Sequence, residues 1–186
     1  MKFKENKFSI VRNIIQPNIR DFVTQYALFD EMQDFSPDGQ QVVNAHAKYA
    51  DPAMEVMLLL LHPFMEEATE LKLYPTYSFY RVYRNGDVLH PHKDREPCEI
   101  SATVCLNYSY DDSKYNWPIY MDGHKAELKK GDLLIYRGTE LEHWREPFDI
   151  NEDAWQVQAF FHYVDANGPY ADFKFDKREC IGSKKN

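Results

Sequence analysis

Three residues of this chain have the types and spacing to hold one metal ion. His92 and Asp94 lie two apart in the run HPHKDRE, from His90 to Glu96. On an extended strand such residues project to the same side. An imidazole and a carboxylate therefore aim at one point. The best candidate for a third ligand is His143, far downstream in GDLLIYRGTELEHWREP. Two histidines and one carboxylate make the facial set used for non-haem Fe(II). Such a set leaves the opposite face of the ion open, so oxygen and a reductant can bind side by side. A lone His-x-Asp pair also arises by chance at surfaces, so the weight rests on context.

The elements that must position these residues are mostly strands. Tyr77 to Tyr83 (YSFYRVY) is an aromatic and β-branched run, followed by the turn pair Asn85-Gly86. Ile100 to Leu106 alternates like a strand. Trp117 to Met121, Ala126 to Leu128, Leu133 to Tyr136 and Trp155 to Tyr163 read as further strands, with Gly131-Asp132 as a turn. Many short strands between turns predict a β-sandwich or barrel.

The first third reads as helical. Asn18 is placed to cap a helix over about Ile19 to Met32, with Phe22, Val23, Tyr26 and Phe29 near one face. Asp51-Pro52 makes a cap and first-turn pair. The helix that follows should face inward with Met54, Met57, Leu58 and Leu61, and Pro63 should kink or interrupt it. The fold class is therefore α+β, mainly β, in one domain over 1–186. A helical buttress spans 1–75, the β core 76–165 and a C-terminal extension 166–186, whose final GSKKN reads as a polar tail.

Composition bounds the function. The formal net charge of -8, with no dense basic stretch, argues against nucleic acid as a partner. Cys98, Cys105 and Cys180 are an odd, scattered set rather than a disulfide framework, which points to reduced thiols and a cytoplasmic protein. The densest apolar run, Val56 to Leu61, is too short to span a bilayer, and no signal peptide precedes it. No membrane partner is expected.

Four blocks, in order, resemble the prolyl-4-hydroxylase-like branch of the 2-oxoglutarate and Fe(II)-dependent dioxygenases. Tyr80-Arg-Val-Tyr83 with Asn85-Gly86 looks like the strand and turn before the metal motif. Pro91-His92-Lys93-Asp94 looks like the family's PHxD. Ser101 to Asn107 looks like the strand that follows it. Gly131-Asp-Leu-Leu-Ile-Tyr136 with His143 looks like the strand leading to the distal ligand. The resemblance runs from about Tyr77 to Asp165. Two segments, around EHWREPF and QVQAFFHYVDANGP, also look like a microbial and viral subgroup of such oxygenases.

The resemblance implies a double-stranded β-helix, or jelly roll, with His92, Asp94 and His143 as iron ligands. It implies Fe(II), 2-oxoglutarate and O2 as cofactors, with ascorbate as an optional addition. The implied activity is hydroxylation of a peptide or protein residue or a small molecule, with 2-oxoglutarate decarboxylated to succinate. Tyr83 sits where the family often places a tyrosine touching the cosubstrate.

One departure matters. The family usually has Arg or Lys about ten residues after the distal histidine, to pair with the far carboxylate of 2-oxoglutarate. This chain has Asp153, Ala154, Trp155 and Gln156 there. Arg145, two residues past His143, is the first replacement candidate, because a guanidinium forks onto a carboxylate. Gln158 can assist with its amide, and Arg81 is a third option. His162 reads as a core histidine.

Other readings remain open at this level. His90, His92 and Glu96, with His143, fit a cupin's first motif, but Gly138, Glu140 and Pro147 stand where the second motif needs Pro, Gly and Asn. A β-helix that binds without turnover is another alternative. A serine or cysteine hydrolase lacks its nucleophile elbow.

Overall fold

The computed structural model describes residues 3–111 and 113–183. Helix α1 (Phe3–Asn6), strand β1 (Phe8–Val11), helix α2 (Pro17–Gln33), strand β2 (His46–Tyr49) and helix α3 (Pro52–Thr69) come first. Strands β3 (Leu73–Arg84), β4 (Leu89–His92), β5 (Ile100–Tyr108) and β6 (Ile119–Met121) follow. Strands β7 (His124–Ala126), β8 (Leu133–Arg137), β9 (His143–Arg145) and β10 (Trp155–Asp165) complete the set. They form two antiparallel sheets. The larger runs β1-β8-β5-β10-β3-β2 and the smaller β4-β9-β6-β7.

Period-two alternation sorts the side chains of the large sheet into two cores. Ala102, Val104 and Leu106 of β5 join Tyr80 and Val82 of β3 and Val157, Ala159 and Phe161 of β10 under the helices. Cys105, Tyr83 and Phe160 point the other way, between the sheets. Full burial of each such apolar side chain stabilises by roughly 1.5–3 kcal/mol. The same alternation aims polar residues inward: Ser101 and Thr103 from β5, Arg81 from β3, Gln156, Gln158 and His162 from β10. All six are buried. A β-core that turns so many polar groups inside is building a site.

The helices differ in detail from the sequence expectation. Helix α2 starts at Pro17, with Gln16 in the cap position and no side-chain cap, so Asn18 lies inside the helix. Proline at the first helical position, where its missing N–H is not needed, sets this earlier start. Val23, Thr24 and Ala27 face the sheet, while Phe22 and Phe29 are exposed. Asp51 does cap α3, its Oδ1 accepting from the amides of Ala53 and Met54. Met54, Met57, Leu58 and Leu61 are buried as expected, but Pro63 does not interrupt the helix, which continues to Thr69. The first third also supplies two strands, β1 and β2, to the edges of the large sheet. The C-terminal extension folds back: Arg178 pairs with the buried Glu55 of α3 at 2.6 Å and donates to the Thr76 carbonyl. Of the expected polar tail, 184–186 lie outside the described residues.

Candidate metal centre

Strand β4 pairs with β9 through His92↔His143, so the two imidazoles start opposite each other, with ring centroids 4.3 Å apart. Asp94 follows β4, and its amide donates to the Gly138 carbonyl at 2.9 Å. Its Oδ1 lies 3.8 Å from Nε2 of His92 and 3.5 Å from Nε2 of His143. Ligand atoms from all three residues fall within 4.8 Å of one another.

Backbone carbonyls fix which nitrogens are free. Nδ1 of His92 is 2.8 Å from the His90 carbonyl, and Nδ1 of His143 is 3.0 Å from that of Leu141. A carbonyl only accepts, so each Nδ1 carries the proton and donates. That leaves Nε2 of each ring facing Asp94, the nitrogen a metal would take in exchange for any proton it carries. Gly138 closes the other side of Asp94. A Cβ there would lie 2.3 Å from Asp94 Oδ2 and 2.4 Å from the Cys98 carbonyl, so no larger residue fits. Two imidazole nitrogens and one carboxylate oxygen on a common face suit Fe(II).

Electrostatics agree with that use. Burial pushes the Asp94 carboxyl up, but the hydrogen bond and charge of His143, with help from His162 and His92, bring it down to about 2. Burial and the neighbouring His143 lower His92. Burial also acts to lower His143, but Asp94 outweighs it and the net direction is up. Behind the triad, Ser101 Oγ lies 3.1 Å from Asp94 Oδ2 and 2.8 Å from Nδ1 of His162. Burial holds His162 down to about 4, so this ring is neutral at physiological pH. His162 is thus the core histidine expected, yet it backs a candidate ligand through Ser101. Period-two alternation along Ser101, Thr103 and Cys105 was the signal for that inward serine.

A cavity of about 760 Å³ opens over the triad. Tyr49, Tyr77, Phe79 and Phe160 wall it, and the segment around Asp38 and Gln41 closes one side. Its size lies within the usual range for small-ligand sites. Arg81 lines it, but Arg145, Tyr83 and Gln158 do not.

Those last three lie deeper between the sheets. Arg81 Nη1 donates to the Tyr83 hydroxyl at 2.8 Å, and Nη2 pairs with Asp38 at 2.7 Å. Burial lowers the Arg81 guanidinium, but Tyr83 and Asp38 outweigh it and raise it overall. Arg145 is different. Its Nη1 donates to the Trp117 carbonyl at 2.7 Å, and its guanidinium carbon lies 4.7 Å from the Trp117 ring centroid. Its Nη2 is buried with no hydrogen-bond partner among the described residues. Burial holds it below its ordinary value, opposed chiefly by Tyr83, Cys105, Tyr110 and Tyr136. No carboxylate is among them. Gln158 is committed on both atoms: Nε2 donates to Thr103 Oγ1 and Oε1 accepts from Gln156. Asp38, Trp117 and Gly138 had no local sequence signal, because each acts through a contact remote in the chain. Of the cupin set, His90 and Glu96 are exposed, and neither joins a group of three potential ligands among the described residues.

No protein-family model matches this sequence, and no curated protein matches it. Solved structures do match. A prolyl-4-hydroxylase from Pseudomonas putida is 15% identical, with a TM-score of 0.69 over 87% of this chain and 95% of that one. The viral collagen prolyl hydroxylase from Paramecium bursaria Chlorella virus-1, in complex with 2-oxoglutarate, is 12% identical, with a TM-score of 0.66 over 86% and 97%. SnoN, an α-ketoglutarate-dependent non-haem epimerase of nogalamycin biosynthesis, is 11% identical, with a TM-score of 0.73 over 98% and 89%. The chain therefore has the double-stranded β-helix fold of the 2-oxoglutarate and Fe(II)-dependent dioxygenases.

Proposed function

We propose that this protein is a non-haem Fe(II) oxygenase that consumes 2-oxoglutarate and hydroxylates a small molecule or a peptide residue. The observation that carries this is the convergence of His92, Asp94 and His143 in the wall of a ligand-sized cavity. Iron, when bound there, supplies the redox chemistry that couples decarboxylation of 2-oxoglutarate to succinate and CO2 with oxygen insertion into a substrate C–H bond.

The chain's own residues do the rest. His92 and His143 present Nε2 because backbone carbonyls hold Nδ1. Asp94 stays ionised at neutral pH and contributes one negative charge to a divalent ion. Arg145 is the proposed partner of the far carboxylate of 2-oxoglutarate. A buried cation without an acid is expensive to maintain, and an incoming carboxylate removes that cost. Tyr83 lies close enough to influence both Arg145 and Arg81, and is the proposed hydroxyl partner. Gln158 supports this end through Thr103 and Gln156. The aromatic walls exclude water from the reacting end.

The test is turnover without a known substrate. Chain loaded with one Fe(II) per molecule should release succinate from 2-oxoglutarate in air faster than free Fe(II) does, and Asp94→Ala should not. Iron and 2-oxoglutarate binding with no succinate release would instead favour a binding module.

A further inference from the structure

The exposed apolar side chains of this protein collect on one layer. Of the nine large hydrophobic residues exposed among the described residues, seven belong to α2 and α3. On α2, Ile19, Phe22, Tyr26 and Phe29 follow the three-four spacing of a helix-packing seam, and Phe22 is 70% exposed. On α3, the stretch from Pro52 to Met65 holds a single charged residue, Glu55, which is buried against Arg178. Its outward positions are Val56, Leu59, Leu60 and Pro63, with Leu60 73% exposed. A surface helix normally turns charge to water, and one that is apolar all round is normally covered on every side.

We propose that a second copy of this chain covers this layer, with α2 and α3 of each copy packing across a two-fold axis. The area is sufficient. Phe22 and Phe29, 70% and 60% exposed, offer roughly 200–300 Å² on the scale of 150–250 Å² per aromatic side chain. Five aliphatic side chains bring the patch toward the ~800 Å² per partner of a standard interface. These side chains are apolar, so the patch they form complements itself, as a two-fold interface must, with Asp21 and Gln25 of α2 exposed beside it. A lipid surface is a poorer occupant. Arg20 is the one Lys or Arg on these two helices, which also carry six acidic residues (Asp21, Asp30, Glu31, Glu55, Glu66 and Glu67), whereas interfacial helices are rich in basic residues. Both helices pack on the outer face of the large sheet, so pairing through them leaves the cavity between the sheets open.

Sedimentation equilibrium of the full chain across micromolar concentrations tests this. The expected mass is twice 22.1 kDa. Phe22→Glu and Leu60→Glu, both at exposed positions, should each weaken the dimer at least tenfold while far-UV circular dichroism and Fe(II) binding stay unchanged. A wild-type monomer at all concentrations overturns the proposal, and that measurement needs no variant to fold. A dimer that survives both substitutions also overturns it, by placing the interface elsewhere. So does binding of monomer to vesicles of anionic phospholipid, which would make the layer a membrane face.

Discussion

The two ends of the space between the sheets are built on opposite electrostatic plans. At the metal end every charge is answered within the chain: Asp94 has His92 and His143, and both histidines have carbonyls. At the deep end Arg145 has a carbonyl and an aromatic face but, among the described residues, no ion pair with an acid. Arg81, on β3 of the other sheet, has Asp38. The first end is organised before any ligand arrives. Under the proposed function, the second is completed by the far carboxylate of 2-oxoglutarate. If the chain is the proposed oxygenase, the difference suits a metal held continuously and a dianionic cosubstrate exchanged at each turnover.

The largest expected effect breaks the metal end. Asp94→Ala or His143→Ala should lower Fe(II) affinity by more than ~100-fold, beyond what loss of an outer-shell partner gives. Isothermal titration under nitrogen reads this. The deep end should respond differently. Arg145→Met should raise the apparent KM for 2-oxoglutarate by about 100-fold, the equivalent of roughly 3 kcal/mol of charged hydrogen bonding, with Fe(II) affinity unchanged. It should leave the ligand-free protein no less stable by more than about 1 kcal/mol, because it removes an unpaired buried charge. Arg81→Met should instead destabilise by about 3–5 kcal/mol, since Asp38 is left buried without its partner. Equal stability losses in the two variants, by urea titration, would erase the contrast.

A third expectation concerns His162 and pH. Its folded pKa of about 4 lies below the ordinary value of 6.5. The unfolded chain then takes up the proton first, so this residue costs stability as pH falls from about 6.5 to about 4, by about 3 kcal/mol in total. His162→Gln should flatten that part of the apo-protein's stability profile. The smallest effect is expected at Ser101. Ser101→Ala removes the link between Asp94 and His162 and should weaken Fe(II) about tenfold, with 2-oxoglutarate binding to the loaded protein unaffected.

The two ends were also unequally legible in the sequence. His92 and Asp94 are two residues apart, so a strand reading paired them, although Asp94 lies just past β4 and is held instead through the Gly138 carbonyl; His143 had a strong local context. The deep end was visible only as a departure, the absence of a cation near Asp153 to Gln156. Arg145 could be named because it shares a strand face with His143, but its lack of an acid partner depends on folds of chain remote from it. Asp38 illustrates the same limit: its pairing with Arg81 joins residues 43 positions apart. The helices were found by pattern, while Phe22 and Phe29 were grouped with Val23 because periodicity reports an apolar face and not what covers it. Pro63 was expected to kink or interrupt α3, and the helix runs through it to Thr69, with tertiary packing of Met54 through Met65 offsetting that local cost.

The most direct measurement is anaerobic. Apo-protein would receive Fe(II) and then 2-oxoglutarate, and the visible charge-transfer band of an iron-chelated oxoacid would be followed. A band is expected in the wild type at stoichiometric iron. It should be absent in His92→Ala, and shifted to about 100-fold higher 2-oxoglutarate in Arg145→Met. Stoichiometric Fe(II) binding with no band at any 2-oxoglutarate concentration would contradict the assignment of this site to that cosubstrate.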